Sequence, residues 1–517
     1  MRLTIDNYDV KRRPQSFKGV LDGALTSSLK FLDTNEMANA VLIDVGAMVT
    51  PRTYYDTKAR NKYAGAETFF REISGTFINC LSAGLLSIGI AKIANHYVMP
   101  EVKIDSNTWF SKDSIGVLKA AWDNADNNVG QYVRNVFDNL GGRDYKDIRY
   151  FKDIDWANVD WQDSKGWGKI HWDNAGFAGL AERLKTKDGM ISAMTNLINS
   201  KNITNNDRKN ALKLMQARIV NALGAERDIH VKIGGKDLSA TLDNVLRDTY
   251  DMGKKVFANS GVDVNLALKK IARVNNIKIF GALAGASALG LTNQYINRKI
   301  TEKRTGKKGF VGDVDYANKA KASEEQPQKV NQKSLWLKKI LASAGMIAMV
   351  VTVMRVKNFK DFVKKLEFTG PVTSGNAIKT VYASTIVGRF LAADNDTELR
   401  ESVTRDYFGF LNWLVFGGFA AKGVANMLDK DCKNLFNIKK NGKGIKHWLN
   451  DLSLKTHAEI ASKGTNFAKK NLWKLNAAHI GGLAYSAVTL GFILPMINDK
   501  MTRYKTQKQQ AAQKKIA

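Results

Sequence analysis

The sequence predicts an all-α fold: a multi-pass helical membrane bundle with an internal duplication and a soluble, mainly helical, tryptophan-rich insert. Three observations predict it. Apolar residues gather into blocks near the roughly 20 residues a membrane helix needs. Proline is scarce, with 6 in 517 residues, which suits long helices because an interior proline costs about 3 kcal/mol. The two halves of the chain also carry matching residues in the same order.

In chain order, residues 1–98 form the N-terminal part of a first repeat, with helices expected at 39–52 and 75–98. The start, MRLTIDNYDVKRRPQ, is charged but has no apolar core behind it, so an internal helix is expected to direct membrane entry. Gly75–Val98 is apolar until Lys92 and His96. Residues 99–270 form a polar insert holding six of the ten tryptophans, with helical periodicity over 179–198 and 210–223. Gly141-Gly142 and Gly234-Gly235 read as turns. The last helix of the first repeat is 271–297, and 298–336 is a basic linker.

An apolar helix begins at Leu337, and 359–368 reads as an amphipathic segment lying along a membrane surface; together these fill 337–375. The second repeat opens over 376–428. Its first block, 376–393, carries Lys379 and Arg389 and is a poor spanning candidate. A short basic insert (429–474), a last uncharged helix (475–498) and a basic tail (499–517) complete the chain.

The duplication appears in three places. Asn39-Ala40-Val41 matches Asn376-Ala377-Ile378, which aligns Arg52 with Arg389. Glu67-Thr68, Arg71-Glu72 and Gly75 match Glu401-Ser402, Arg405-Asp406 and Gly409. Lys269–Thr301 matches Lys470–Thr502 without a gap. Topology stays open. If the first helix of each copy does not span, the copies are inverted; if it does, four crossings precede the second copy and the copies are parallel.

The repeated ion-pair motif is the candidate site: Arg52, Glu67, Arg71, Glu72, Arg389, Glu401, Arg405 and Asp406. On a helix Glu67 and Arg71 share a face, as do Glu401 and Arg405, and Arg52 and Arg389 are placed to meet the acids across a short loop. The set reads as a structural clasp or as a gate near the membrane surface. Gly281 and Gly285, continued by Ala284 and Ala288, read as a helix-packing face.

The net charge is +30. Residues 101–270 are nearly balanced, with 26 basic against 23 acidic side chains. Basic charge therefore flanks the apolar blocks, the pattern of helices meeting anionic lipid. Two cysteines, Cys80 and Cys432, exclude a disulfide framework. No catalytic motif, metal-ligand spacing or phosphate loop is present, so neither an enzyme nor a cofactor is expected. The expected role is a membrane scaffold or interaction protein, contacting anionic lipid and, through residues 99–270, a protein partner. A duplicated transporter or channel is the alternative. A soluble helical protein binding nucleic acid or an acidic partner is the third reading.

Overall fold

The computed structural model describes residues 17–501 and 504, apart from 101, 103–111, 144–147, 160, 162–169, 224–227, 306–330, 368–373, 439, 441, 443, 462–464. Most of the basic linker and the tail therefore lie outside the described residues, as do Trp109 and Trp167. The described residues form two compact units, 17–39 with 417–485 and 40–416 with 486–501.

Helix α1 covers Phe17–Thr34. Helix α2 runs over residues 36–59, with π-helical turns at Asp44–Val49. Helix α3 (Lys62–Val98) carries a second π-helical stretch at Phe77–Ser82. Asn61 caps α3, accepting from the Ala64 amide at 2.8 Å. In the larger unit α2 and α3 form an antiparallel hairpin. The Thr76 hydroxyl donates to Asp44 at 2.6 Å and the Thr68 hydroxyl to Asp56 at 2.6 Å.

The insert follows, with α4 (Lys112–Asp123), α5 (Val129–Asp138), α6 (Lys187–Asn199), α7 (Asn205–Leu223) and α8 (Leu242–Met252). Its strands are β1 (Leu140–Arg143), β2 (Ile148–Tyr150), β3 (Asp228–Ile233) and β4 (Lys236–Thr241), paired antiparallel in the order β2-β1-β3-β4. Gly234 and Gly235 turn the β3–β4 hairpin with φ of 59° and 73°. Gly141 and Gly142 do not form a turn; they lie inside β1. A side chain at Gly141 would stand 2.3 Å from Ile148 Cγ2, so the strand needs glycine for close approach. Trp122 stacks on Phe257 at 4.9 Å, and Phe151 packs edge-on between Phe137 and Trp156. Trp122 and Trp172 share the Trp-Asp-Asn tripeptide but not its role. Trp122 is buried core, whereas the Trp172 stretch is a polar turn in which Asp173 accepts from Thr204 at 2.6 Å.

Helix α9 spans Val264–Thr305, 42 residues without a break, and is longer than the expected 271–297 at both ends. Its small residues let neighbours close in. A Cβ at Gly281 or Gly285 would meet Ile90 and Leu86 of α3 at 3.2 and 3.0 Å, and one at Gly290 would meet Thr385 at 2.6 Å. Ala284 and Ala288 do not continue this face; both are exposed, and Ala282 and Ala286 are buried instead. A step of three residues turns back about 60° on a helix, which carries Ala284 away from the neighbours that Gly281 and Ala282 meet.

Then come α10 (Gln332–Val353), α11 (Phe359–Leu366), α12 (Gly375–Ala392) and α13 (Asp396–Leu428, with π-helical turns at Asn412–Phe416). Helix α14 covers Asn466–Met501. Helices α9 and α12 run parallel, since Gly290 meets Thr385 and Leu291 meets Gly388. The end of α14 runs parallel to α2: a Cβ at Gly491 would stand 2.8 Å from Pro51, and Tyr55 reaches Asp499 farther on.

In the smaller unit, strands β5 (Phe436–Ile438) and β6 (Leu452–Leu454) pair antiparallel over a core of Ala425, Phe436, Leu452, Ile460 and Leu475. Lys455 is fully buried, donating to the carbonyls of Lys433 and Asn434 at 3.1 and 2.6 Å. Gly482 meets Ala421 closely.

Candidate functional site

The site grows from two matching helix starts in the larger unit. Asn395 caps α13, accepting from the Glu398 amide at 2.8 Å, as Asn61 caps α3. Each asparagine stands six residues before the motif glutamate, Glu67 or Glu401. Each helix then sends its acid, Glu72 or Asp406, inward from about three turns along, roughly 15 Å at 1.5 Å per residue.

Arg52 Nη1 donates to Glu72 Oε1 at 3.4 Å, and Arg389 Nη1 donates to Asp406 Oδ1 at 2.9 Å. The first joins α2 to α3 and the second joins α12 to α13. A third contact joins them: Arg389 Nη2 reaches Glu72 Oε2 at 3.4 Å. All four side chains are buried. Arg71 and Arg405 close the flanks. Arg71 contacts Glu72 at 3.2 Å and Thr68 at 3.2 Å; Arg405 contacts Asp406 at 3.1 Å and Ser402 at 3.4 Å.

The four-apart pairs expected from helical spacing do not form. Arg71 turns to the adjacent Glu72 and not to Glu67, and Arg405 turns to Asp406 and not to Glu401. The reason is burial. Glu67, Glu72, Glu401 and Asp406 are all buried, so each takes the donor that its own surroundings supply and not the one that spacing along an exposed helix would give. Glu401 pairs instead with Arg60 at 2.7 Å, and Glu67 takes a hydrogen bond from Thr301.

Two glycines make the approach possible. A Cβ at Gly75 would lie 3.4 Å from Arg389 Nη2, and one at Gly409 would lie 3.6 Å from Arg52 Nη2. Arg389 of α12 thus passes over the glycine of α3, and Arg52 of α2 over that of α13. Arg52 Nε also donates to the Leu490 carbonyl at 3.0 Å. Below the arginines, the Thr385 hydroxyl donates to Asn79 Oδ1 at 2.7 Å. Among the described residues, Arg52 Nη2, Arg389 Nε and Asp406 Oδ2 are buried without a hydrogen-bond partner. Such atoms cost about 1–3 kcal/mol each, so the cluster depends on its ion pairs.

A second shell of ion pairs lies at the helix ends. Arg60 contacts Asp499 as well as Glu401, and Arg298 pairs with Asp394 and reaches Glu398 at 3.5 Å. Asn498 donates to the Glu401 carbonyl at 3.0 Å. None of Arg60, Arg298, Asp394 or Asp499 stands out in the sequence, because each sits in a stretch already rich in charge. The equal spacing of Asn61 and Asn395 before the motif was the signal available for the helix starts.

Among the described residues, no group of three or more His, Cys, Asp or Glu side chains is arranged to hold a metal ion. The arrangement joins α2, α3, α12 and α13 through charged contacts. It presents no nucleophile–base pair. No family model, curated protein or solved structure matches the chain.

Proposed function

We propose that the chain is a multi-pass integral membrane scaffold built from two copies of one helical unit, which presents the insert to a protein partner and its basic flanks to anionic lipid. The observation that carries this reading is where the large apolar side chains are exposed. Among the described residues none of them falls within 99–262, while Leu85, Ile93, Phe280, Leu289, Ile347 and Phe492 of the long helices are all exposed. Those same helices bury Arg, Glu and Asn. An apolar exterior around a polar interior suits lipid and not water. Five helices, Lys62–Val98, Val264–Arg304, Gln332–Val353, Asp396–Leu428 and Asn466–Met501, are long and apolar enough to span a membrane.

Two more crossings belong to this reading. Helices α2 and α12 carry Arg52 and Arg389 in their length, which lowers their mean hydropathy. Each runs from the insert end of the larger unit to the clasp end, parallel to a spanning neighbour. With them the chain crosses seven times, four crossings precede the second copy, and the copies are parallel. Duplication is further supported by the paired π-helical turns in α3 and α13, the paired asparagine caps, and the reciprocal packing of Gly75 on Arg389 and Gly409 on Arg52.

A transporter would expose the repeated arginines and acids to a shared cavity. Their burial and mutual pairing favour a clasp that locks the copies together. Fractionation of the full chain tests the proposal. Protein that stays with membranes through carbonate and leaves in detergent supports it. Release by carbonate or salt overturns it and directs attention to the +30 charge as a surface for nucleic acid or an acidic partner.

A further inference from the structure

Helix α11 reads from sequence as a surface-lying segment, and its surroundings give it a more specific task. It has an apolar face of Phe359, Phe362, Val363 and Leu366, of which Leu366 is buried and Phe359 remains 78% exposed. Between α11, α9 and the start of α4 lies an open groove of about 580 Å³, a volume in the range of small-ligand sites. One wall is apolar, formed by Phe280, Phe359 and Val363. The rim is polar, formed by Asp113, Asn276, Lys360, Lys364 and Glu367.

Its place along α9 matters. Asn276 stands just before the apolar stretch that begins at Ile277, and Phe280 is one turn inside it. Resting on the membrane reading above, the groove therefore straddles the level where α9 leaves the hydrocarbon. On α9 the lining passes from Asn276 to Phe280 toward the span, and on the insert side it is Asp113. Lys364 is already committed, paired with Asp113 at 2.5 Å, and this contact holds α11 against the insert. Lys360 is exposed and makes no ion pair among the described residues, while Glu367 lies about two turns farther along.

We propose that this groove is a binding site for one anionic phospholipid, its phosphate held by Lys360 with the Asn276 amide beside it and an acyl chain against Phe280, Phe359 and Val363. The mixed lining favours this occupant. A free phosphate would leave the apolar wall exposed to water, and a purely apolar guest would leave the Lys360 charge unmatched. An amphipathic helix bearing lysines and an exposed phenylalanine is also the element that meets the lipid headgroup level.

The test uses the full chain in detergent, offered phosphatidylglycerol, phosphatidylcholine or inorganic phosphate, with bound lipid read by native mass spectrometry. The wild type is expected to retain phosphatidylglycerol in preference to phosphatidylcholine. Lys360→Glu, at an exposed position where folding is not at risk, should weaken that retention roughly fivefold or more, the effect of one lysine at a lipid surface. Phe280→Ser should weaken retention of both lipids. Equal retention of the two lipids by the wild type, or no effect of Lys360→Glu, overturns the site. Displacement of the lipid by millimolar inorganic phosphate assigns it to free phosphate and also overturns the lipid proposal. Carbonate fractionation of the same proteins separates the two failures. A protein that stays in the membrane but shows no preference sinks the groove alone, whereas a protein released by carbonate sinks the membrane reading beneath it.

Discussion

The insert and the helical body of the larger unit differ in where they place their large apolar side chains. The insert core is built on Phe137, Phe151, Tyr132, Leu140 and Met194, with Asp207, Arg218, Asp248 and Asp251 buried beside it and no large apolar side chain exposed among its described residues. The helical body buries Phe390 and Phe410 together with Arg52, Glu72, Arg389, Asp406, Asn79 and many glycines and alanines, and it exposes Leu85, Ile93, Phe280, Leu289 and Ile347. One chain thus carries two solutions to the same problem. In water, burial of large apolar side chains stabilises by about 25 cal/mol per Å². Where the surroundings are themselves apolar that drive is absent, and close backbone approach, ion pairs and hydrogen bonds must hold helices together. The contrast is the one expected if the body meets lipid, as proposed, and each half of it can be broken separately.

The largest expected effect comes from the clasp. Arg389→Leu strands Glu72 and Asp406 as buried acids, and removal of one partner of a buried pair costs about 3–5 kcal/mol. The detergent-solubilised protein should lose most of its thermal stability, while Arg389→Lys recovers part of it. A melting temperature unchanged by Arg389→Leu would mean that the ion pairs do not hold the copies together.

Leu85→Arg sharpens the comparison from outside. Leu85 is 55% exposed near the middle of α3, so in a water-soluble bundle the change should fall within about 0.5 kcal/mol. In a bilayer it should cost about 3 kcal/mol of insertion. Glycosylation-reporter insertion assays or membrane yields distinguish the two, and a neutral result would contradict the lipid-facing assignment.

Next comes Gly388→Ala. The new methyl would stand 2.5 Å from the Leu291 carbonyl oxygen, and overpacking of this kind costs about 1–3 kcal/mol. Ala284→Val, on the exposed side of α9, should leave the melting temperature within a degree or two. If both behave alike, α9 and α12 do not meet as described.

The smallest effect belongs to the insert. Burial of Asp248, with Asp251 beside it, holds its carboxyl well above the usual carboxylate range. The folded state therefore keeps this proton when the unfolded chain has released it. Its contribution to stability is fully present below pH 3.8, the ordinary value, and is lost as pH rises toward the folded value. Asp248→Asn should flatten that slope and raise stability at pH 7 by about 1 kcal/mol. Tryptophan fluorescence during denaturation reads it, and an unchanged pH slope would show that Asp248 ionises freely when folded.

Much of this organisation is legible in the chain. The apolar blocks of α3, α9, α10, α13 and α14 stand out because a span needs an uninterrupted apolar run. The repeated Arg and acid residues stand out because they recur in order. What escaped has physical causes. Alternation of apolar and polar residues is weak in the three- to six-residue strands of the insert, so Gly141-Gly142 resembled a turn. The pairing of Arg71 with Glu72 in place of Glu67 depends on which side of α3 faces the interior, and residue spacing does not carry that. The exposure of Ala284 has the same origin, since alanine fits either side of a helix.

Sequence by itself determined which blocks are long and apolar enough to span a membrane, which residues recur in order in the two halves, the balanced charge of the insert and the residues of the ion-pair cluster. These follow from local composition and order. Only the tertiary structure decided that Arg389 bridges Glu72 and Asp406, that Arg389 crosses Gly75 and Arg52 crosses Gly409, and that α2 and α12 run parallel to α14 and α9. Those facts rest on contacts between residues hundreds of positions apart, where a gap of one side chain decides whether two helices touch.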